Sequence, residues 1–191
     1  MPIITRLAFF LACAISLTAQ TAPTTVSKNL LYEGTFAEHT GGTPVGWSLA
    51  GYAGGNHGNT VKVTDDRAGN YVTLQVAKPQ TANFTLNLSG PISLKPTWKA
   101  LICSVDIRVF NYVQGEQNYH KPRMHIAFYD DADTEVGSTG LGLATRYTDA
   151  WQTAERTIPI PIGATQAKIW LGSLGSTGRL EFRAPYIAPS E

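Results

Sequence analysis

The residues with most chemistry to offer stand at alternate positions of four short segments. They are Asp106 and Arg108, then Arg123, His125 and Tyr129, then Lys168 and Trp170, and last Glu181 and Arg183. Apolar residues fill the positions between them, so each segment reads as a strand with one face in a core and these side chains on the other. If the four strands share a sheet, one outer face carries cations, carboxylates, an imidazole and two aromatic rings. Aromatic planes pack on the apolar faces of pyranose rings, and charged forks bind hydroxyls and carboxylates. Such a face suits a polysaccharide. Its basic surplus points to an anionic one, because an arginine fork meets a carboxylate or sulfate with two parallel bonds. The plainer explanation is that outer sheet faces are polar in most sandwiches. Cross-strand ladders such as Asp106 with Arg123, or Glu181 with Lys168, would then stabilise the face and bind nothing. Trp170 fits that explanation least, since an outward tryptophan lacks a packing reason unless a loop covers it.

A second candidate is the connection Asn111–His120, dense in amides and aromatics, with Tyr112 and Tyr119 as its binding side chains; asparagine and glycine are also ordinary turn formers. Catalysis is the competing class. Arg123, His125 and Tyr129 are the residue types of a polysaccharide lyase, in which a cation neutralises a uronate while histidine or tyrosine moves the proton. On one strand, however, His125 and Tyr129 lie about 13 Å apart at roughly 3.3 Å per residue. That is too far for two groups serving one carbon. No Ser-His-Asp order or paired-carboxylate spacing appears. The histidines show no zinc-ligand spacing apart from His120 with His125.

The elements that must position these residues are strands. Val72, Leu74 and Val76 alternate, as do Phe84, Leu86 and Leu88, then Leu101 through Val109, then Met124, Ile126 and Phe128, then Ala167, Ile169 and Leu171, then Leu180 and Phe182. No later segment shows helical spacing. Turn-rich breaks between period-two segments predict an all-β, antiparallel two-sheet β-sandwich. The longer connections are Ala50–Asn59, Asn111–Lys121 and Asp130–Ala150.

Residues 1–19 read as a signal peptide, with Arg6 ahead of an apolar run and a small-residue site at Leu17-Thr18-Ala19. Residues 20–28 form a short linker and 29–188 a single domain. The expected location is secreted, periplasmic or extracellular. The formal net charge of +1 vanishes with Arg6, so a nucleic-acid footprint is not expected, nor is a membrane span. Cys103 is left alone in the mature chain, inside an apolar strand, and is expected to be buried filler.

The two ends carry a frame: Asn29-Leu30-Leu31-Tyr32-Glu33-Gly34-Thr35-Phe36 with Pro44-Val45-Gly46-Trp47, and Trp151-Gln152 with Ile158-Pro159-Ile160-Pro161-Ile162-Gly163-Ala164. This order resembles the non-catalytic carbohydrate-binding modules of the galactose-binding-like β-sandwich class. The resemblance implies a jelly roll, polysaccharide or oligosaccharide as ligand, a separate glycan-degrading enzyme as partner, and Trp47 and Trp151 as core framework. It also implies a structural calcium. Here Ala37, followed by Glu38, takes the place of one expected carboxylate, and Arg183 that of the closing aspartate. Glu33, Glu38 and Glu181 are the available substitutes, and no metal site is named. An extracellular structural or protein-interaction sandwich is the alternative outside sugar binding.

Overall fold

A computed structural model describes residues 28–31, 34–51, 58–78, 84–143 and 146–191. The predicted signal peptide, nearly all of the linker, Tyr32, Glu33 and the segment 52–57 lie outside the described residues.

Among the described residues thirteen strands run in chain order as β1 (His39–Thr40), β2 (Thr43–Pro44), β3 (Trp47–Gly51), β4 (Thr60–Thr64), β5 (Tyr71–Val76), β6 (Phe84–Leu88), β7 (Ile92–Ser93), β8 (Ala100–Val113), β9 (Arg123–Tyr129), β10 (Glu135–Leu141), β11 (Gln152–Pro159), β12 (Gln166–Ser173) and β13 (Thr177–Ser190). Two antiparallel sheets form the sandwich. One has the order β10-β9-β12-β6-β3, with β7 added on β12; the other has the order β11-β8-β13-β5-β4. Apolar residues at alternate positions of both close on one core. Met124, Ile126, Leu171 and Leu86 come from the first sheet, and Leu101, Ile107, Leu74, Leu180 and Phe182 from the second. Cys103 and Ile107 are fully buried, as the strand pattern predicts.

The opening motif is a latch. Asn29 Oδ1 accepts hydrogen bonds from the amides of Leu31 and Ile187, its Nδ2 donates to the Pro185 carbonyl, and the Leu30 amide donates to the Ile187 carbonyl. A Cβ on Gly34 would fall 2.6 Å from Asn29 Nδ2 and 2.7 Å from the Pro185 oxygen, so a side chain there would break the latch. Phe36 then drops into the core against Trp47, ring edge to face at 5.9 Å. The motif at the chain's start thus ties β13 to the sandwich.

The expectation that the four polar strands share a sheet is corrected. β9 and β12 lie in one sheet, and β8 and β13 in the other. The reason is pairing: β8 and β13, each 14 residues long, run antiparallel along most of their length, with Arg108 opposite Glu181 and Asp106 opposite Arg183. The predicted polar face therefore divides between opposite sides of the molecule. The Asp130–Ala150 connection contains β10, and the Asn111–Lys121 connection begins with the last residues of β8.

Candidate functional site

On the β9–β12–β6 face, antiparallel register sets Trp170 directly opposite His125 on one side and Asn87 on the other. The His125 and Trp170 rings stack at 4.6 Å with 20° between planes. The Arg123 guanidinium lies 5.2 Å from the Trp170 ring centroid. Its Nη1 donates to the Tyr119 carbonyl at 2.8 Å, which ties the β8–β9 connection to the end of this face. A Cβ on Gly140, the β10 neighbour of His125, would fall 2.5 Å from Arg123 Cδ; the missing side chain makes room for the arginine stem. At the other end Lys168 reaches over Tyr129, 4.0 Å from the ring centroid, and pairs with Asp133 at 2.7 Å. A groove of about 390 Å³ runs from His125 and Trp170 past Ala127 to Tyr129 and Lys168, with Asn87, Ser89-Gly90-Pro91 and Glu135 also lining it.

Burial, and then the Arg123 charge, push the His125 pKa down to about 4. At neutral pH the imidazole is therefore an uncharged ring that packs against one face of the Trp170 indole. Burial also lowers the pKa of Arg123, which stays charged as arginines do in proteins. Among the described residues Arg123 makes no ion pair. A half-buried indole, a neutral ring stacked beside it and an arginine with no carboxylate partner can stack on a flat apolar ring and bind its polar substituents.

The opposite face, on β8, β13 and β5, has similar ingredients in another state. Glu181 points outward, yet only 3% of it is exposed, because Arg108 and Arg179 close over it. Thr73 Oγ1 donates to the same carboxylate. Asp106 accepts from Arg183 at 2.8 and 3.1 Å and from Thr153 Oγ1 at 2.7 Å. The rings are occupied too. Arg108 lies 4.3 Å from Trp151 and 4.9 Å from Tyr71, Arg183 lies 4.5 Å from Trp151, and Arg179 lies 3.7 Å from Phe110.

Of the residues predicted to bind, Arg123, His125, Tyr129, Lys168 and Trp170 are brought together, with Tyr119 at the end of their face. Arg108 and Arg183 are on the opposite side. Tyr112 is half-buried and engaged, its hydroxyl donating to the His120 carbonyl and its ring 5.5 Å from that of Tyr147. The ladders also differ from expectation: Asp106 pairs with Arg183 rather than Arg123, and Glu181 with Arg108 and Arg179 rather than Lys168. Trp47 is core as expected. Trp151 is not; it lies on the outer face, edge-on to Tyr71. Sequence reasoning missed Asn87 and Glu135, which line the groove, although Asn87 stands at an outward position between Leu86 and Leu88 and was legible there. At the calcium position Arg183 pairs with Asp106, and no group of three His, Cys, Asp or Glu placed to hold a metal occurs among the described residues. Among those residues no helix is long and apolar enough to cross a membrane.

No protein-family model matches the chain, and no curated protein matches it by sequence. Solved structures do. A CBM4 structure aligns over 84% of this chain and 99% of its own, with a TM-score of 0.53 and 20% identity. The CBM22-1 xylan-binding domain of Paenibacillus barcinonensis Xyn10C aligns over 85% of this chain and 95% of its own, with a TM-score of 0.57 and 15% identity. The fold is the two-sheet β-sandwich that these modules have. An all-β sandwich is what the alternation predicts. The same sandwich matches 21% of the enzymatically active domain of bacteriophage CBA120 tailspike protein 4, over 80% of this chain, with a TM-score of 0.54 and 15% identity. At these identities the likeness establishes architecture, and function has to be argued from the side chains.

Proposed function

We propose that this chain is an exported, non-catalytic carbohydrate-binding protein that takes a polysaccharide strand along the β9–β12–β6 groove. The observation that carries this reading is the stacked Trp170–His125 platform beside Arg123, a cation with no ion-pair partner among the described residues. Trp170 stacks on the sugar ring, His125 braces the indole from its own side, Arg123 binds hydroxyl or acidic substituents, and Tyr129, Lys168 and Tyr119 border the neighbouring units. The module fold of the structural neighbours supports the same class of ligand.

The lyase reading has less support. A histidine held at a pKa of about 4 is a weak base at neutral pH, and His125 and Tyr129 stand too far apart along β9 to serve one carbon. The test is affinity electrophoresis of the protein through gels holding xylan, a soluble cellulose derivative or a polyuronate. Retardation on at least one gel, with no ultraviolet-absorbing unsaturated product after prolonged incubation, is expected. Unretarded migration on every gel would overturn binding; release of unsaturated product would overturn the non-catalytic assignment.

A further inference from the structure

We propose that the cavity beside the β8–β9 connection is a second, anion-selective subsite that receives a carboxylate or sulfate substituent of the bound glycan. The inference deepens the groove reading and rests on it for the identity of the polymer. The cavity, about 500 Å³, is within the range of sites that hold small ligands. Two cations line it, Lys121 and Arg146, with the amides of Asn111 and Gln114 and the rings of Tyr112 and Tyr147; among the described residues no carboxylate does.

Three observations mark it as more than a gap. Of the sheet-borne cations, Arg108, Arg179, Arg183 and Lys168 each have a carboxylate partner, whereas Lys121 and Arg146, like Arg123, make no ion pair among the described residues. An anion held in a cavity bordered by two cations is attracted by both. The phenols are already committed and uncharged. Tyr112 donates to the His120 carbonyl; Tyr147 donates to the Pro122 carbonyl and accepts from the Leu143 amide. Burial pushes the Tyr112 pKa up to about 12, so no phenolate competes with an incoming anion.

The third observation is position. Tyr147 lines the cavity, and a Cβ on Gly142 would meet its hydroxyl at 2.7 Å and the Arg123 Cβ at 3.6 Å, so Tyr147 and Arg123 are neighbours. Tyr147 thus links the wall of the cavity to Arg123, which lies over Trp170 at the head of the groove. A polymer lying over Trp170 and Arg123 would bring its next substituents to Lys121 and Arg146.

The test compares wild type, the double variant Lys121→Gln/Arg146→Gln, the single variant Arg146→Gln at its exposed position, and Trp170→Ala. The probes are xylan, polygalacturonate and dextran sulfate, with affinities measured at two ionic strengths. The double variant should lose tenfold or more on an acidic polymer and nothing on xylan, with Arg146→Gln alone losing part of that. The difference should shrink at high salt, as exposed charge interactions do. Loss on polygalacturonate alone assigns a carboxylate, and loss on dextran sulfate alone assigns a sulfate. Wild-type affinity for both acidic polymers in the double variant, equal loss on acidic and neutral polymers, or no acidic binding by wild type would overturn the subsite. If Trp170→Ala changes nothing while the double variant loses acidic binding, the groove reading fails and the anion site stands.

Discussion

The two outer faces of the sandwich are built from the same kinds of residue, arginines beside tryptophan and tyrosine, but differ in what those residues have left to give. On the β8–β13–β5 face Asp106 and Glu181 each hold an arginine, and Trp151, Tyr71 and Phe110 each lie against a guanidinium. On the β9–β12–β6 face Lys168 is paired, while Arg123 touches the Trp170 ring and a backbone carbonyl. Composition alone would call both faces binding surfaces. Partnership separates them: a charge already neutralised at short range has little to offer a ligand, and an unpaired one beside an aromatic platform has much.

The largest expected effect is on the saturated face. Glu181→Ala leaves Arg108 and Arg179 crowded around a buried hole, and breaking such a pair costs about 3–5 kcal/mol. Urea unfolding should show that loss while glycan binding by the folded protein is unchanged. A loss below about 1 kcal/mol would mean that the cluster is only a surface ladder. Beneath both faces, Ile107→Ala should cost about 2–5 kcal/mol, again without a change in ligand preference.

Smaller effects sharpen the contrast on the groove side. His125 has a pKa of about 4 in the fold against about 6.5 for an ordinary histidine. Between those values the unfolded chain takes up a proton that the folded chain refuses, so protonation favours unfolding. The contribution of the neutral imidazole is complete above about pH 6.5 and declines as the pH falls toward 4. His125→Gln should flatten that part of the stability–pH curve; an unchanged slope would show that the ring is as solvated as a free histidine. The smallest effect is chemical. Burial pushes the Cys103 thiol up to about 12, so iodoacetamide should leave it unmodified in the folded protein and alkylate it in denaturant. Rapid labelling of the native chain would contradict the buried position.

What was legible in the sequence follows position in the sheets. β5, β6, β8, β9, β12 and β13, whose apolar alternation is plain in the sequence, are all interior strands. The strands that the alternation did not mark out as such, β3, β4, β10 and β11, are the edges. An interior strand is flanked on both sides and must bury one face continuously, which imposes strict alternation. An edge strand is covered on one side only and can carry Gly137, Ser138, Thr139 and Gly140 in β10, or Glu155 and Arg156 in β11, without cost to the core. The candidate site was legible in its residues and not in its grouping. Alternation told which side chains point outward, but sheet membership depends on long-range pairing, and β8 chose β13. Trp151 was misplaced for a related reason: a motif gives its position in the chain, while its ring is held outside by Arg108, Arg183 and Tyr71.

The division of labour between the faces is tested most directly by paired tryptophan substitutions. Trp170→Ala and Trp151→Ala each remove one outer-face indole beside an arginine, one from each sheet. Both should be run by affinity electrophoresis on whichever polysaccharide retards the wild-type protein, with unfolding curves recorded alongside. Trp170→Ala should weaken binding by about 1–4 kcal/mol, the range of an aromatic hot spot, with the fold intact, whereas Trp151→Ala should lower stability and leave retardation at the wild-type value. Loss of retardation in Trp151→Ala with wild-type retardation in Trp170→Ala would place the binding face on the other sheet.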